Sequence, residues 1–68
     1  MENNIKELRK TAKLSQEELA KICNVSRQTI NAIENDKYDP TLQLAFSIAS
    51  VLGTTIDKLF INHGIIKK

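Results

Sequence analysis

Apolar residues recur along the chain at intervals of three and four, the spacing that lines up one face of an α-helix. Ile5, Leu8 and Ala12 share one such face. Leu19, Ala20, Ile22 and Cys23 share a second, Ile30 and Ile33 a third, and Ile56, Leu59 and Phe60 a last one. Strand-like alternation is weak. Glycine and proline occur only at Gly53, Gly64 and Pro40, so capping residues mark most of the breaks.

Asn4, with Glu7 three residues on, predicts the start of a first helix. Ser15 with Glu18 predicts a capping box at the second: the serine oxygen accepts from the backbone at Glu18, and Glu18 reaches back. Asn24 suits the end of that helix, because asparagine tolerates the left-handed conformation found there. Ser26 caps a third helix, residues 35–40 read as a loop, and Thr41 caps a fourth through about Leu52. Gly53 ends it. Thr54 with Asp57 predicts a capped fifth helix.

The fourth helix is apolar over most of its surface. Only Gln43, Ser47 and Ser50 form a polar strip. Such a helix is either central in the core or touches a second chain as well. Beyond Phe60, Asn62-His63-Gly64 lies between isoleucines. That pattern fits a turn between two short strands, or a frayed tail.

Composition narrows the class. The 68 residues form one domain, with 41% hydrophobic and 26% charged residues, as in ordinary soluble domains. A core this small often gains stability by oligomerisation. Net charge is +2, which says little until the charges are placed. The single cysteine, Cys23, excludes an internal disulfide and reads as a core residue. Met1-Glu2-Asn3-Asn4 lacks the basic and apolar regions of a signal peptide, and no wholly apolar stretch exceeds three residues. A cytoplasmic protein without a membrane partner is expected.

Residues 16–35 carry the functional signal. Two short helices joined by a turn of about three residues have the geometry of a helix-turn-helix. Ala20 supplies the small side chain needed where the helices cross, and Leu19, Cys23, Val25, Ile30 and Ile33 fill the space between them. On the third helix, Gln28, Asn31, Ala32 and Asn35 share the outer face, with Arg27 on its flank. No carboxylate stands there. A merely solvated helix face would carry Lys and Glu, whereas Arg, Gln and Asn are the side chains that pair with base edges. Arg27, Gln28, Asn31 and Ala32 are the candidate base contacts. Gln16, Ser26, Thr29, Asn35, Lys37, Tyr38, Lys10 and Lys13 are the candidate phosphate contacts flanking them. Arg9 and Glu34 each lie one turn beyond a core isoleucine, which predicts an ion pair between the first and third helices.

These segments, from Ser15-Gln16-Glu17-Glu18-Leu19-Ala20 through Val25-Ser26-Arg27-Gln28-Thr29-Ile30-Asn31 and Ile33-Glu34 to Lys37-Tyr38-Asp39-Pro40 and Leu42-Gln43-Leu44-Ala45, resemble the lambda-repressor-like (Cro or XRE) family. The resemblance is closest to its small stand-alone members and covers about residues 4–60. It implies an all-α, five-helix DNA-binding domain, with a short two-stranded β element formed by the termini in the small members. It also implies a homodimer, operator binding, a phosphate-touching and bracing role for Gln16, and a buried Arg9–Glu34 salt bridge. Asn24 departs from the family pattern, where many members have glycine.

Double-stranded DNA and a second copy of the chain are the expected partners. The dimerisation region is placed at about 42–66, with Leu52, Ile56, Leu59, Phe60 and Ile61 at the interface. The expected function is a homodimeric repressor on an inverted-repeat operator. The alternative is a protein-interaction module, such as an antitoxin, on the same fold. No enzyme activity, cofactor or small-molecule substrate is expected: His63 is the single histidine, and it sits in a different element from Cys23.

Overall fold

A computed structural model of the chain describes residues 2–60. The described residues form five helices: α1 (Ile5–Thr11), α2 (Gln16–Cys23), α3 (Arg27–Glu34), α4 (Leu42–Val51) and α5 (Ile56–Leu59). Each delivers at least one fully buried aliphatic side chain to a common core. These are Ile5 from α1, Leu19 from α2, Ile30 and Ile33 from α3, Ile48 from α4 and Leu59 from α5. Burial of each contributes about 1.5–3 kcal/mol. The small residues Ala20, Ala45 and Ala49 let the helices approach closely.

Most of the caps form as the sequence predicts. Ser15 Oγ accepts from Glu18 N at 3.0 Å, and Glu18 Oε1 accepts from Ser15 N at 2.8 Å. Ser26 and Thr41 cap α3 and α4 through the backbone N–H groups of Thr29 and Leu44. Asn24 takes the left-handed conformation at φ 62°. Gly53, at φ 67°, ends α4 in the same way.

Two expected caps do not form. Asn4 makes no side-chain cap on α1. Its neighbour Asn3 does so, with Oδ1 accepting from Ile5 N at 3.1 Å, while the Asn4 amide donates to the carbonyl of Lys58 at 3.2 Å. Thr54 does not cap α5, because its N–H turns back to the carbonyl of Ala49 at 2.9 Å to close α4. Thr55 is the residue before α5, and its side chain makes no cap hydrogen bond there.

Three faces are narrower than their apolar patterns. Ala12 is exposed, and Ile22 is 57% exposed because α2 turns Leu19 and Ala20 inward instead. In α4 the buried stripe is Ala45, Ile48 and Ala49, which leaves Leu42 69% and Phe46 59% exposed. The two ends of the described segment meet in an antiparallel bridge between Asn3 and Phe60, supported by Asn4 N donating to the Leu59 carbonyl at 2.8 Å. The turn expected at Asn62-His63-Gly64 lies outside the described residues.

Candidate nucleic-acid interface

The interface is built on the α2–α3 hairpin. Asn24 in the left-handed conformation and Ser26 in the extended one reverse the chain within three residues. Val25 N donates to the Ala20 carbonyl at 2.9 Å, which pins the turn onto α2. Ala20 is buried where the two helices meet. Ile30 and Ile33 commit one face of α3 to the core, so the opposite face must point outward. Arg27, Gln28, Asn31 and Asn35 are all exposed there, with Ala32 half-buried beside them.

Beneath this face lies an ion pair. Arg9 Nε donates to Glu34 Oε2 at 2.7 Å and Arg9 Nη2 to Glu34 Oε1 at 3.2 Å. The side chains are only 9% and 2% exposed, respectively. Arg9 Nη1 also donates to the carbonyl of Leu14 at 2.9 Å, which holds the α1–α2 turn beside the same carboxylate. A two-pronged charge-assisted pair of this kind needs all its donors and acceptors met. No buried side-chain nitrogen or oxygen among the described residues lacks a partner. The pair expected from the sequence is therefore present.

Gln16 joins the pair to the surface. Its Nε2 donates to Glu34 Oε1 at 3.0 Å. Its Oε1 receives long contacts from Asn31 Nδ2 at 3.4 Å and Arg27 Nη1 at 3.5 Å. Asn35 Nδ2 donates to the Asn31 carbonyl at 2.9 Å and to Asn31 Oδ1 at 3.2 Å. Gln28 has no side-chain hydrogen bond among the described residues. The structure thus gathers Gln16, Arg27, Asn31 and Asn35 into one polar network beside a free Gln28.

The flanking residues have more varied roles. The Ser26 hydroxyl accepts from Thr29 N and lies 2.9 Å from the Thr29 hydroxyl, so both side chains are engaged in the cap of α3. The Asn35 amide is engaged at the C-terminus of the same helix. Lys37 and Tyr38 are exposed directly after α3, where Asp36 at φ 61° turns the chain. Lys10 and Lys13 are exposed at the end of α1 and in the turn that follows it. Sequence reasoning missed Asn3. Its Nδ2 donates to the Ile33 carbonyl at 2.8 Å, across 30 residues, and helps close the end of α3.

Of the residues expected at a chain–chain interface, Leu52 and Ile56 are half-buried. Leu59 and Phe60 are interior: a core this thin uses both of them, so their side chains are not a surface for a partner. Ile61 lies outside the described residues. Burial pushes the half-buried Cys23 thiol above its ordinary range, which disfavours the reactive thiolate.

A helix-turn-helix that exposes a carboxylate-free Arg/Gln/Asn face defines the class as a DNA-binding regulator. Comparison with known proteins agrees. The helix-turn-helix family profile matches residues 5–59, and the chain belongs to that family. It is 54% identical over 61 residues to an uncharacterized HTH-type transcriptional regulator of Methanocaldococcus jannaschii, covering 90% of this chain and 92% of that one. It is 36% identical over 64 residues to the immunity repressor protein of Bacillus phage phi105, covering 94% of this chain but 44% of the repressor.

Solved structures show the same fold. The clp gene regulator ClgR of Corynebacterium glutamicum superposes with a TM-score of 0.73 at 21% identity, over 76% of this chain and 55% of that one. FeII HppE, solved with its substrate, superposes with a TM-score of 0.76 at 33% identity, over 84% of this chain. Only 33% of HppE is matched, so the shared part is a domain and not that whole protein. The two sequence relatives are a regulator and a repressor, not enzymes. The chain is a transcriptional regulator with a helix-turn-helix DNA-binding domain. No helix among the described residues is long and apolar enough to cross a membrane.

Proposed function

We propose that the protein is a homodimeric repressor that binds an inverted-repeat operator, with α3 of each copy in the major groove. The observation that carries this reading is the outer face of α3, where Arg27, Gln28 and Asn31 are exposed together and no carboxylate competes. Arg27 forks onto guanine, and Gln28 and Asn31 pair with adenine edges. Ala32 packs against a thymine methyl. Gln16, Ser26, Thr29, Asn35, Lys37, Tyr38, Lys10 and Lys13 flank the groove. Where their side chains are already engaged, backbone N–H groups at the helix starts serve the phosphates.

Two copies pair along α4 and α5. Leu52 and Ile56 supply the apolar contact, with Leu59 and Phe60 as its rigid backing. Two recognition helices on successive major grooves lie about 34 Å apart, so the half-sites stand roughly 10 base pairs apart, centre to centre. Repression then needs nothing beyond occupancy of a promoter.

DNase footprinting on DNA upstream of the gene, with sedimentation of the free protein, tests this. Two protected half-sites at that spacing, and a dimer at micromolar concentration, are expected. A single protected half-site and a monomer would contradict it.

A second reading has one observation in its favour. Leu42 and Phe46 are more than half exposed on one side of α4, a place where another protein could pack. Such binding would survive high salt, whereas DNA binding weakens steeply with it.

A further inference from the structure

We infer that the buried carboxylate of Glu34 acts as a positioning residue for base recognition, fixing the direction of the Asn31 amide through Gln16. The inference rests on α3 being the helix that reads bases.

Hydrogen-bond polarity carries the argument. A carboxylate paired with arginine has only acceptors to offer. Glu34 Oε1 therefore draws the amide nitrogen of Gln16, at 3.0 Å, and repels its oxygen. That single contact turns Gln16 Oε1 toward α3. There it meets two donors, Asn31 Nδ2 at 3.4 Å and Arg27 Nη1 at 3.5 Å. These contacts are long and add little stability. Their effect is directional: the Asn31 nitrogen points toward Gln16.

The other end of the same amide is set independently. Asn35 Nδ2 donates to Asn31 Oδ1 at 3.2 Å, and the same Asn35 nitrogen is held by the Asn31 backbone carbonyl at 2.9 Å. Asn31 is thus held with its nitrogen toward α2 and its oxygen toward the end of α3. A flipped amide would set oxygen against oxygen at Gln16 and nitrogen against nitrogen at Asn35.

Neither contact exhausts the group. The amide nitrogen has a second proton, and the oxygen a second lone pair. One donor and one acceptor remain for DNA, in a fixed order along the groove. Adenine presents an acceptor and a donor on its major-groove edge, N7 and N6. A pre-oriented amide matches them in one direction only and pays no reorientation on binding. The ion pair below the surface thereby acts on the direction in which an A·T pair is read, without touching DNA.

The test is selection from a pool of duplexes randomised over about 20 base pairs, enough for two half-sites. It is run with the wild type and with Asn31→Ala, Gln16→Met and Glu34→Gln, alongside thermal unfolding of each. Asn31→Ala marks the base pair that Asn31 reads. Gln16→Met keeps the Arg9–Glu34 pair but removes both amide atoms. Glu34→Gln lets either amide atom face Gln16.

At the marked base pair, both of these variants are expected to lose roughly tenfold in adenine preference. Preferences set by Gln28 should remain. If Gln16→Met keeps the wild-type preference there, the inference is wrong. A folded Glu34→Gln that keeps it is equally contradictory. Should Glu34→Gln not fold, Gln16→Met decides alone. A wild type that enriches no sequence, or an Asn31→Ala that changes none, overturns the base-reading role of α3, and this inference with it.

Discussion

Arg9 and Glu34, 25 residues apart in sequence, meet at 2.7 Å between α1 and α3, almost closed off from solvent. A buried pair adds little over a well-packed apolar pair, but breaking it strands a charge, at a cost of about 3–5 kcal/mol. Glu34→Ala should therefore lower the melting temperature by more than about 10 °C in a domain of this size. Calorimetry checks this. An unchanged melting temperature would show that the pair contributes nothing to the fold.

Asn24 sits at φ 62° in the turn of the hairpin. Asparagine tolerates this conformation and glycine adopts it freely, whereas a Cβ without a polar group is penalised by about 1–2 kcal/mol. Asn24→Ala should shift urea unfolding by about that amount, and Asn24→Gly should leave it nearly unchanged. Equal losses in both variants would mean that the Asn24 side chain, not its backbone conformation, matters.

Asp57 is held below the ordinary carboxylate range, first by the Thr55 hydroxyl that donates to it, then by the α5 backbone. A lowered folded value means that this contribution is present above the unfolded value, near 3.9, and is lost as pH falls through the folded one. Asp57 is fully solvated, so the gain is small. A carboxyl titration by NMR should place Asp57 lower in the wild type than in Thr55→Ala. Coincident curves would remove the hydroxyl from the account.

Arg27 and Lys37 should fail differently. Arg27→Ala is expected to cost about 1–3 kcal/mol on the best site and to blur one base position. Lys37→Ala should weaken binding to all duplexes alike and reduce the salt slope by about one. A uniform loss for Arg27→Ala would reassign it to the phosphate backbone.

The legible parts of the structure are those whose partners are near in sequence or follow from helical periodicity. Ser15 and Glu18 form a box within one turn, and Ile30 and Glu34 lie one turn apart on α3, so the capping box and the ion pair could be expected. Asn3 could not, because its partners at Ile33 and Asp36 are brought to it by the whole fold. Thr54 looked like a cap until the left-handed Gly53 turned its N–H back onto Ala49. Leu59 and Phe60 carry the apolar signal of an interface and of a core alike; only the three-dimensional packing separates the two. The residue types of the recognition face were readable, but not the network joining Glu34, Gln16 and Asn31. Amide direction depends on which neighbours donate and which accept, and periodicity carries no such information.

The most direct test is fluorescence anisotropy of the pure protein on DNA from upstream of its own gene, against a shuffled duplex of equal composition, across a salt series. Specific regulators bind their sites 10³-fold or more above background at physiological salt, with log affinity falling steeply with log salt. Tighter binding to the native fragment with such a slope is the predicted result. Weak binding to both duplexes, or an affinity insensitive to salt, would contradict a sequence-specific regulator acting at its own promoter.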